Sequence, residues 1–128
     1  MQIQNKSILD LSNALSALEK GCLDKSITFD SKTVYYLARC IRKLNPHVEA
    51  LEKARMALNI ALQGETDKDK MVASHDSWDK LLEEIIEIDI EPRIEERHLK
   101  LWEPSANEGN RISPKTLAAL EPLIVNQE

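Results

Sequence analysis

The sequence predicts a mainly α, α+β domain in which one long helix, kinked at a proline, packs on shorter helices beside a small antiparallel sheet. Apolar residues recur every three or four positions through most of residues 1–85, which is the period of amphipathic helices. Near residue 86 this period changes to strict alternation, which is typical of a half-buried strand. With 128 residues, the chain has room for a single domain, 1–128, around one core.

The N-terminal 30 residues are predicted to hold one helix and an extended segment. The helix is indicated by an apolar stripe that consists of Ile8, Leu11, Leu15 and Leu18. Asn5 or Ser7 can cap its start, and Gly21 can end it in the left-handed conformation. Residues 25–30 alternate polar and apolar side chains, so they form either a short strand or an extended link.

The longest apolar stripe runs from residue 31 to 63 and predicts one helix with a kink at Pro46. The stripe consists of Val34, Leu37, Ile41, Leu44, Val48, Leu51, Leu58 and Leu62. Its register continues across Pro46, whereas two separate helices would have no reason to share one register. The alternative is a break at Asn45, with Pro46 in the first turn of a second helix. A single helix would span roughly 50 Å. Because the short first helix cannot cover so long a stripe, we expect a homodimer through the long helix.

Residues 64–75 are polar, with charges of both signs, and are expected to form a mobile loop. Ser74 or Asp76 would then cap a third helix, whose apolar face consists of Trp78, Leu81, Leu82 and Ile85. Because Trp78 is in phase with the two leucines, we expect it in the core.

The C-terminal third of the chain is predicted to supply the sheet and a last short helix. Residues 86–91 and 98–102 alternate apolar and polar side chains and are expected to pair as antiparallel strands, with 25–30 as a candidate third strand. Residues 103–112 are expected to form a loop. Ser113-Pro114 then opens a short helix, because serine is a good N-cap and proline fits the first helical position.

Negative charge is concentrated in residues 83–96, which we call the acidic segment. It contains one arginine and seven acids: Glu83, Glu84, Glu87, Asp89, Glu91, Glu95 and Glu96. Its net charge of −6 exceeds the −5 of the whole chain. One interpretation is a partner-binding surface that docks on a basic protein. The other is a solvated outer face whose charge prevents edge-to-edge strand pairing. Trp102 is out of phase with Leu99 and Leu101, so it joins the seven acids as a predicted partner-binding residue.

Catalytic, cofactor and metal motifs are absent from the sequence, and we predict that the chain is not an enzyme and needs neither cofactor nor metal. His47, His75 and His98 follow no metal-binding spacing. The carboxylates of the acidic segment alternate with apolar residues, so they would face water rather than a catalytic pocket. Cys22 and Cys40 lie among leucine and isoleucine, which predicts two buried thiols.

A small basic patch is predicted on the outer face of the long helix. It consists of Lys32, Tyr35, Arg39, Arg42 and Lys43. Nucleic-acid binding usually needs more cations and a basic chain, whereas the pI of this chain is about 5.3. We therefore expect solvent-facing cations that pair with nearby acids, and we do not expect nucleic acid as a partner.

The order of four short motifs carries a family resemblance. The motifs are Tyr36-Leu37-Ala38, Glu52 with Arg55, the strand-like residues 87–90, and Ser113-Pro114 followed by Leu117, Leu120 and Glu121. In this order they resemble a group of small uncharacterised bacteriophage and prophage proteins. The resemblance implies a phage origin and a location in the host cytoplasm or the virion, and it brings no established activity. The link after the first helix departs from the group, because it carries Cys22 and lacks the usual proline.

Together these features predict a non-enzymatic protein-binding module. The favoured function is inhibition of a host defence protein by occupation of its surface. The alternatives are a virion structural or assembly protein and, third, a weak nucleic-acid-associated or enzymatic role. The chain has no run that is long and apolar enough to span a membrane and no signal-peptide pattern at its start, so we expect no membrane association.

Overall fold

The computed structural model describes residues 1–125 and confirms a mainly helical α+β fold with a long helix, shorter helices and a small antiparallel sheet. In chain order the elements are β1 (Gln2–Gln4), α1 (Asn5–Leu23), α2 (Ser31–Ala61), α3 (Lys68–Glu83), β2 (Ile85–Glu87), α4 (Glu96–Leu99), α5 (Pro114–Ala119) and a 3-10 turn (Glu121–Leu123). Helix α1 is central, because α2, α3 and α5 all lie against it.

The long helix α2 is continuous through Pro46, as its apolar register predicts. Asp30 caps it, since the carboxylate accepts a 3.0 Å hydrogen bond from the Thr33 backbone N–H. Its buried side chains are Thr33, Leu37, Cys40, Leu44 and Leu51. Their spacing of three, four or seven residues places them on one face, so burial against the core outweighs the cost of an internal proline.

We expect Pro46→Ala to stabilise the protein by about 1–3 kcal/mol. Proline lacks the N–H that would bond to the carbonyl four residues earlier, and its ring crowds the preceding turn. The free energy of unfolding in urea measures the effect. Asn59→Ala, at an exposed position of the same helix, is the control and should gain only about 0.5 kcal/mol from propensity. An unchanged or lowered stability of Pro46→Ala would contradict this prediction.

The hydrophobic core forms where α1 and α2 meet the C-terminal elements. From α1 it takes Ile8, Leu11, Leu15 and Leu18, which are at most 2 % exposed. From the C-terminal part it takes Ile94, Leu99, Leu120 and Leu123, which are equally buried. Full burial of each such side chain stabilises the fold by about 1.5–3 kcal/mol. The segment 88–99 is therefore anchored in the core although it contains little regular structure.

The sheet pairs different strands from those that the sequence predicts. Strand β2 is antiparallel to β1, with Gln2 opposite Glu87 and Gln4 opposite Ile85. The expected strand 98–102 is wrong, because α4 ends at Leu99 and Lys100 takes a left-handed conformation with φ of 48°. Of residues 25–30, Lys25 and Ser26 complete a turn after α1, and 27–30 form the link and no strand.

Both ends of α1 differ from the predicted caps. Gln4, rather than Asn5 or Ser7, precedes the helix, and the Asn5 amide donates a 2.9 Å hydrogen bond to the carbonyl of Leu81. Gly21 is helical and does not end the helix. A Cβ at Gly21 would lie 2.4 Å from the Ile27 side chain, so the glycine permits the extended link to pack on α1.

Helix α3 begins earlier than predicted, so most of the expected loop 64–75 is helical. Asp67 caps it by accepting a 2.9 Å hydrogen bond from the Asp69 backbone N–H, and neither Ser74 nor Asp76 is a cap. This helix buries none of its side chains fully. Trp78 is half-buried rather than in the core, and it lines a groove with Ala54 and Leu58 of α2.

The predicted C-terminal helix is confirmed, and a compact loop precedes it. The Ser113 hydroxyl accepts from the Thr116 backbone N–H at 3.2 Å, and Pro114 occupies the first turn. In the loop, Trp102 N donates to Asn110 O at 3.0 Å. Gly109 has a φ of +118°, and a Cβ there would lie 2.4 Å from the Leu101 carbonyl oxygen, so this turn requires glycine.

Candidate binding surfaces

The acidic segment presents its carboxylates on a fixed backbone. Six of its seven acids are exposed, and Glu95 is half-buried. Between them Ile88, Ile90 and Ile94 are at most 5 % exposed. The alternation seen in the sequence thus separates a wet acidic side from a dry side that anchors the segment in the core.

Two side chains of α2 fasten the same segment. The Tyr36 hydroxyl donates a 2.6 Å hydrogen bond to the Glu91 carbonyl oxygen. Lys43 Nζ donates to the Asp89 carbonyl oxygen at 2.6 Å and to its Oδ2 at 3.0 Å. The bond from Lys43 holds the pKa of Asp89 below its usual range. These bonds limit the freedom of the backbone at Asp89 and Glu91.

Ion pairs reduce the field of the acidic segment. Four of its acids have a cationic partner: Glu87 with the Met1 amino group, Asp89 with Lys43, Glu91 with Arg93, and Glu95 with Arg97. Within residues 1–125 no cation lies at ion-pair distance from Glu83, Glu84 or Glu96. The strongest uncompensated charge is therefore at the two ends of the segment rather than at its centre.

Trp102 lies in the separate loop that leads to α5, and it is half-buried. The Arg111 guanidinium stacks on its ring, 4.2 Å from the ring centroid. A cation in this position covers one face of the indole and contributes about 0.5–1 kcal/mol at an exposed site. Only the part of the Trp102 ring that is neither buried nor covered by Arg111 remains for a partner.

The predicted basic patch divides into two parts. Lys32, Tyr35 and Arg39 line a groove of about 430 Å³ between the first turns of α2 and residues 93–98. We call it the basic groove; its lining consists of Asp30, Lys32, Thr33, Tyr35, Tyr36, Arg39, Arg93, Ile94, Arg97 and His98. Arg42 does not line it, and Lys43 lines an adjoining cavity of about 180 Å³. No sequence pattern indicated Arg93, within the acidic segment, or Arg97, directly after it, because only the fold brings them to α2.

A second unpredicted surface is apolar. The C-terminal half of α2 and the start of α3, here called the helical arm, expose Met56, Ile60, Met71 and Val72. Three of these side chains are 58–63 % exposed, and Met71 is 36 % exposed. Exposed apolar side chains concentrated on one helical hairpin are typical of an interaction surface.

Reactive and metal-binding groups are sparse in the part of the chain that the structure describes. Cys40 is buried as predicted, and burial raises the pKa of its thiol, whereas Cys22 is half-buried. Burial also raises the pKa of the neighbouring Tyr36 hydroxyl. Across residues 1–125, no three His, Cys, Asp or Glu side chains are grouped to hold a metal ion.

Comparison with known proteins does not indicate a function for this chain. No protein-family model, no curated protein and no solved structure matches this chain. None of the helices within residues 1–125 is long and apolar enough to cross a membrane. The acidic segment, the basic groove and the helical arm are therefore the features from which a function can be inferred.

Proposed function

We propose that this chain is a non-enzymatic protein-binding module that recognises a basic protein partner through the acidic segment. One observation carries the proposal: exposed carboxylates alternate with isoleucines that are anchored in the core. Fixed charges bind a complementary surface with less loss of conformational freedom than charges on a mobile loop. They also speed encounter with a cationic partner.

The resemblance to phage proteins supports a bacterial host protein as this partner. Binding of the module would block the partner's basic surface, which is inhibition by occupation. A virion assembly role would use the same acidic surface on a basic structural protein. The binding chemistry is shared, so the partner's identity distinguishes these two roles.

Affinity capture tests the proposal. The wild-type chain and a Glu83→Lys/Glu84→Lys/Glu96→Lys variant are immobilised and exposed to bacterial lysate at low ionic strength. We expect the wild-type chain to retain a basic protein that the variant does not retain. Added salt should release this protein from the wild-type chain. Equal retention of the same proteins by both baits would contradict a role for the acidic segment.

We further propose that two copies of the chain associate through the helical arm. Its exposed apolar side chains are flanked by charges of both signs, among them Glu52, Lys53, Lys68 and Asp69. In a two-fold symmetric interface each patch faces its own copy, so mixed charge is compatible with pairing whereas a purely acidic surface repels itself. The arm includes the part of α2 that covers least of the core, which agrees with a dimer through the long helix.

Replacement of Ile60 by lysine should convert a dimer into a monomer. We expect light scattering at micromolar concentration to give twice the 14.6 kDa chain mass for the wild type and the chain mass for Ile60→Lys. A buried, unpaired lysine opposes association. Leu23→Lys, at a position 78 % exposed on α1, is the matched control and should remain dimeric. A wild-type mass of 14.6 kDa would refute the dimer.

A further inference from the structure

We infer that the basic groove binds a phosphate monoester. Lys32, Arg39, Arg93 and Arg97 converge on it from two different segments, against the single carboxylate of Asp30. The lining side chains carry a formal charge of +3, with histidine counted as neutral, and the charge is +1 when the Glu91 and Glu95 partners of Arg93 and Arg97 are included. The whole chain has a net charge of −5. A local excess of this sign on an acidic protein favours an anionic ligand.

Arg39 and Arg93 are available to a ligand, whereas Arg97 is paired with the half-buried Glu95. Among residues 1–125 Arg39 has no carboxylate partner, and its guanidinium lies 5.9 Å from the Tyr35 ring centroid. Arg93 pairs with Glu91 at 3.2 Å, but both side chains are more than 60 % exposed. Exposed pairs of this kind contribute little, so an anion can compete for the guanidinium. Several planar guanidinium groups around one cavity can each donate paired hydrogen bonds, which suits the three oxygens of a phosphate group.

The position of the phosphate within the groove is limited by Asp30. Its carboxylate caps α2 and holds a hydrogen bond from Thr33, so it disfavours an anion at that end. Arg39, further along α2, and Arg93 line both the basic groove and the adjoining cavity. That cavity also contains Asp89 and Glu91, and each of these is paired with a cation, Asp89 with Lys43 and Glu91 with Arg93. We place the phosphate between these two arginines, with Arg97 beside them.

The remaining walls suit an organic group on the phosphate. Ile94 is 2 % exposed and forms part of a fixed floor, and the Tyr36 hydroxyl is engaged with the Glu91 carbonyl. Tyr35 is 65 % exposed and offers a ring for packing. A volume of about 430 Å³ lies within the usual range of small-molecule sites. The ligand class is therefore an ester rather than free inorganic phosphate.

Titration of the whole chain with two phosphate monoesters tests this site. Adenosine monophosphate and O-phosphoserine are followed by heteronuclear NMR at low ionic strength, with adenosine and serine as uncharged controls. We expect saturable shifts at the Tyr36 amide and the Arg39 side chain, which both line the proposed position, with at least one ester and none with the controls. The tighter ester identifies the source of the phosphate as a nucleotide or a modified side chain.

Two arginine variants and one matched control make the test specific. Arg39→Ala and Arg93→Ala should each weaken binding at least about 10-fold. Arg39→Lys should weaken it less, because lysine keeps the positive charge but lacks the paired N–H donors of the guanidinium. Arg42→Ala removes the same charge three residues away on α2, outside the groove, and should bind like the wild type. Absence of saturation by about 10 mM of either ester, or equal weakening by Arg42→Ala and Arg39→Ala, would overturn the inference. Thermal melts of all variants exclude loss of the fold.

Discussion

Replacement of Asn110 by alanine should lower the free energy of unfolding by about 3 kcal/mol and the melting temperature by about 10 °C. Asn110 is 5 % exposed. Its Nδ2 donates to the carbonyl oxygens of Thr28 and Leu99, each at 2.8 Å, and its Oδ1 accepts from Thr28 N at 2.9 Å. One side chain thus joins the link after α1, the end of α4 and the last loop.

Alanine removes all three hydrogen bonds and leaves backbone groups without partners. An unsatisfied buried group costs about 1–3 kcal/mol, so the loss exceeds that of an ordinary surface substitution. Thermal unfolding followed by circular dichroism measures it. Asn13→Ala, at an exposed position of α1, is the control and should change stability by no more than about 0.5 kcal/mol.

The variant Asn110→Asp separates hydrogen bonding from volume. The introduced carboxylate would face the Thr28 and Leu99 carbonyl oxygens, which raises its folded pKa above the unfolded value near 3.9. The destabilisation relative to the wild type should therefore be largest above the folded pKa and should shrink as pH falls below it. A pH-independent loss, or stability equal to that of the wild type, would show that the three hydrogen bonds are not what holds this junction.

Helical register was predictable because it depends on neighbours in the chain. The buried positions of α2 follow a repeat that Pro46 does not interrupt, and Ser113 caps α5 as expected. The sheet was not predictable in the same way. Strand β1 has only three residues and one buried side chain, Ile3. Pairing with β2 brings together segments that are about 80 residues apart, and no local pattern specifies such a partner.

Sequence spacing likewise identified the acidic segment but not the charges that surround it. In the sequence, Arg93 is the one basic residue of an acidic stretch, whereas in the structure it lines the same groove as Arg39 of α2. The expectation that the carboxylates of the acidic segment face water is incomplete for the same reason, because Glu87, Glu91 and Glu95 are ion-paired. Glu87 pairs with the distant Met1 amino group, whereas Glu91 and Glu95 pair with arginines two residues further along the chain. Spacing in the sequence does not show whether such side chains meet, but the structure does.

The charge dependence of partner binding should be carried by the unpaired acids. Changing Glu83, Glu84 and Glu96 to lysine takes the net charge from −5 to +1 without breaking an ion pair within residues 1–125. We expect the association rate with the captured basic protein to fall at least about 10-fold at low salt, because long-range attraction accelerates encounter. Stopped-flow or surface-plasmon measurements give this rate, and the dissociation rate should change little.

A matched control distinguishes location from total charge. Asp10→Lys/Glu19→Lys/Glu49→Lys makes the same change in net charge at exposed positions outside the acidic segment, and it should slow association much less. The difference should shrink near physiological ionic strength, where the screening length is about 8 Å. Trp102→Ala should behave differently and raise the dissociation rate at any salt, because an aromatic contact acts at short range. If both triple variants slow association equally, net charge alone acts and the acidic segment is only a solvated face of the fold.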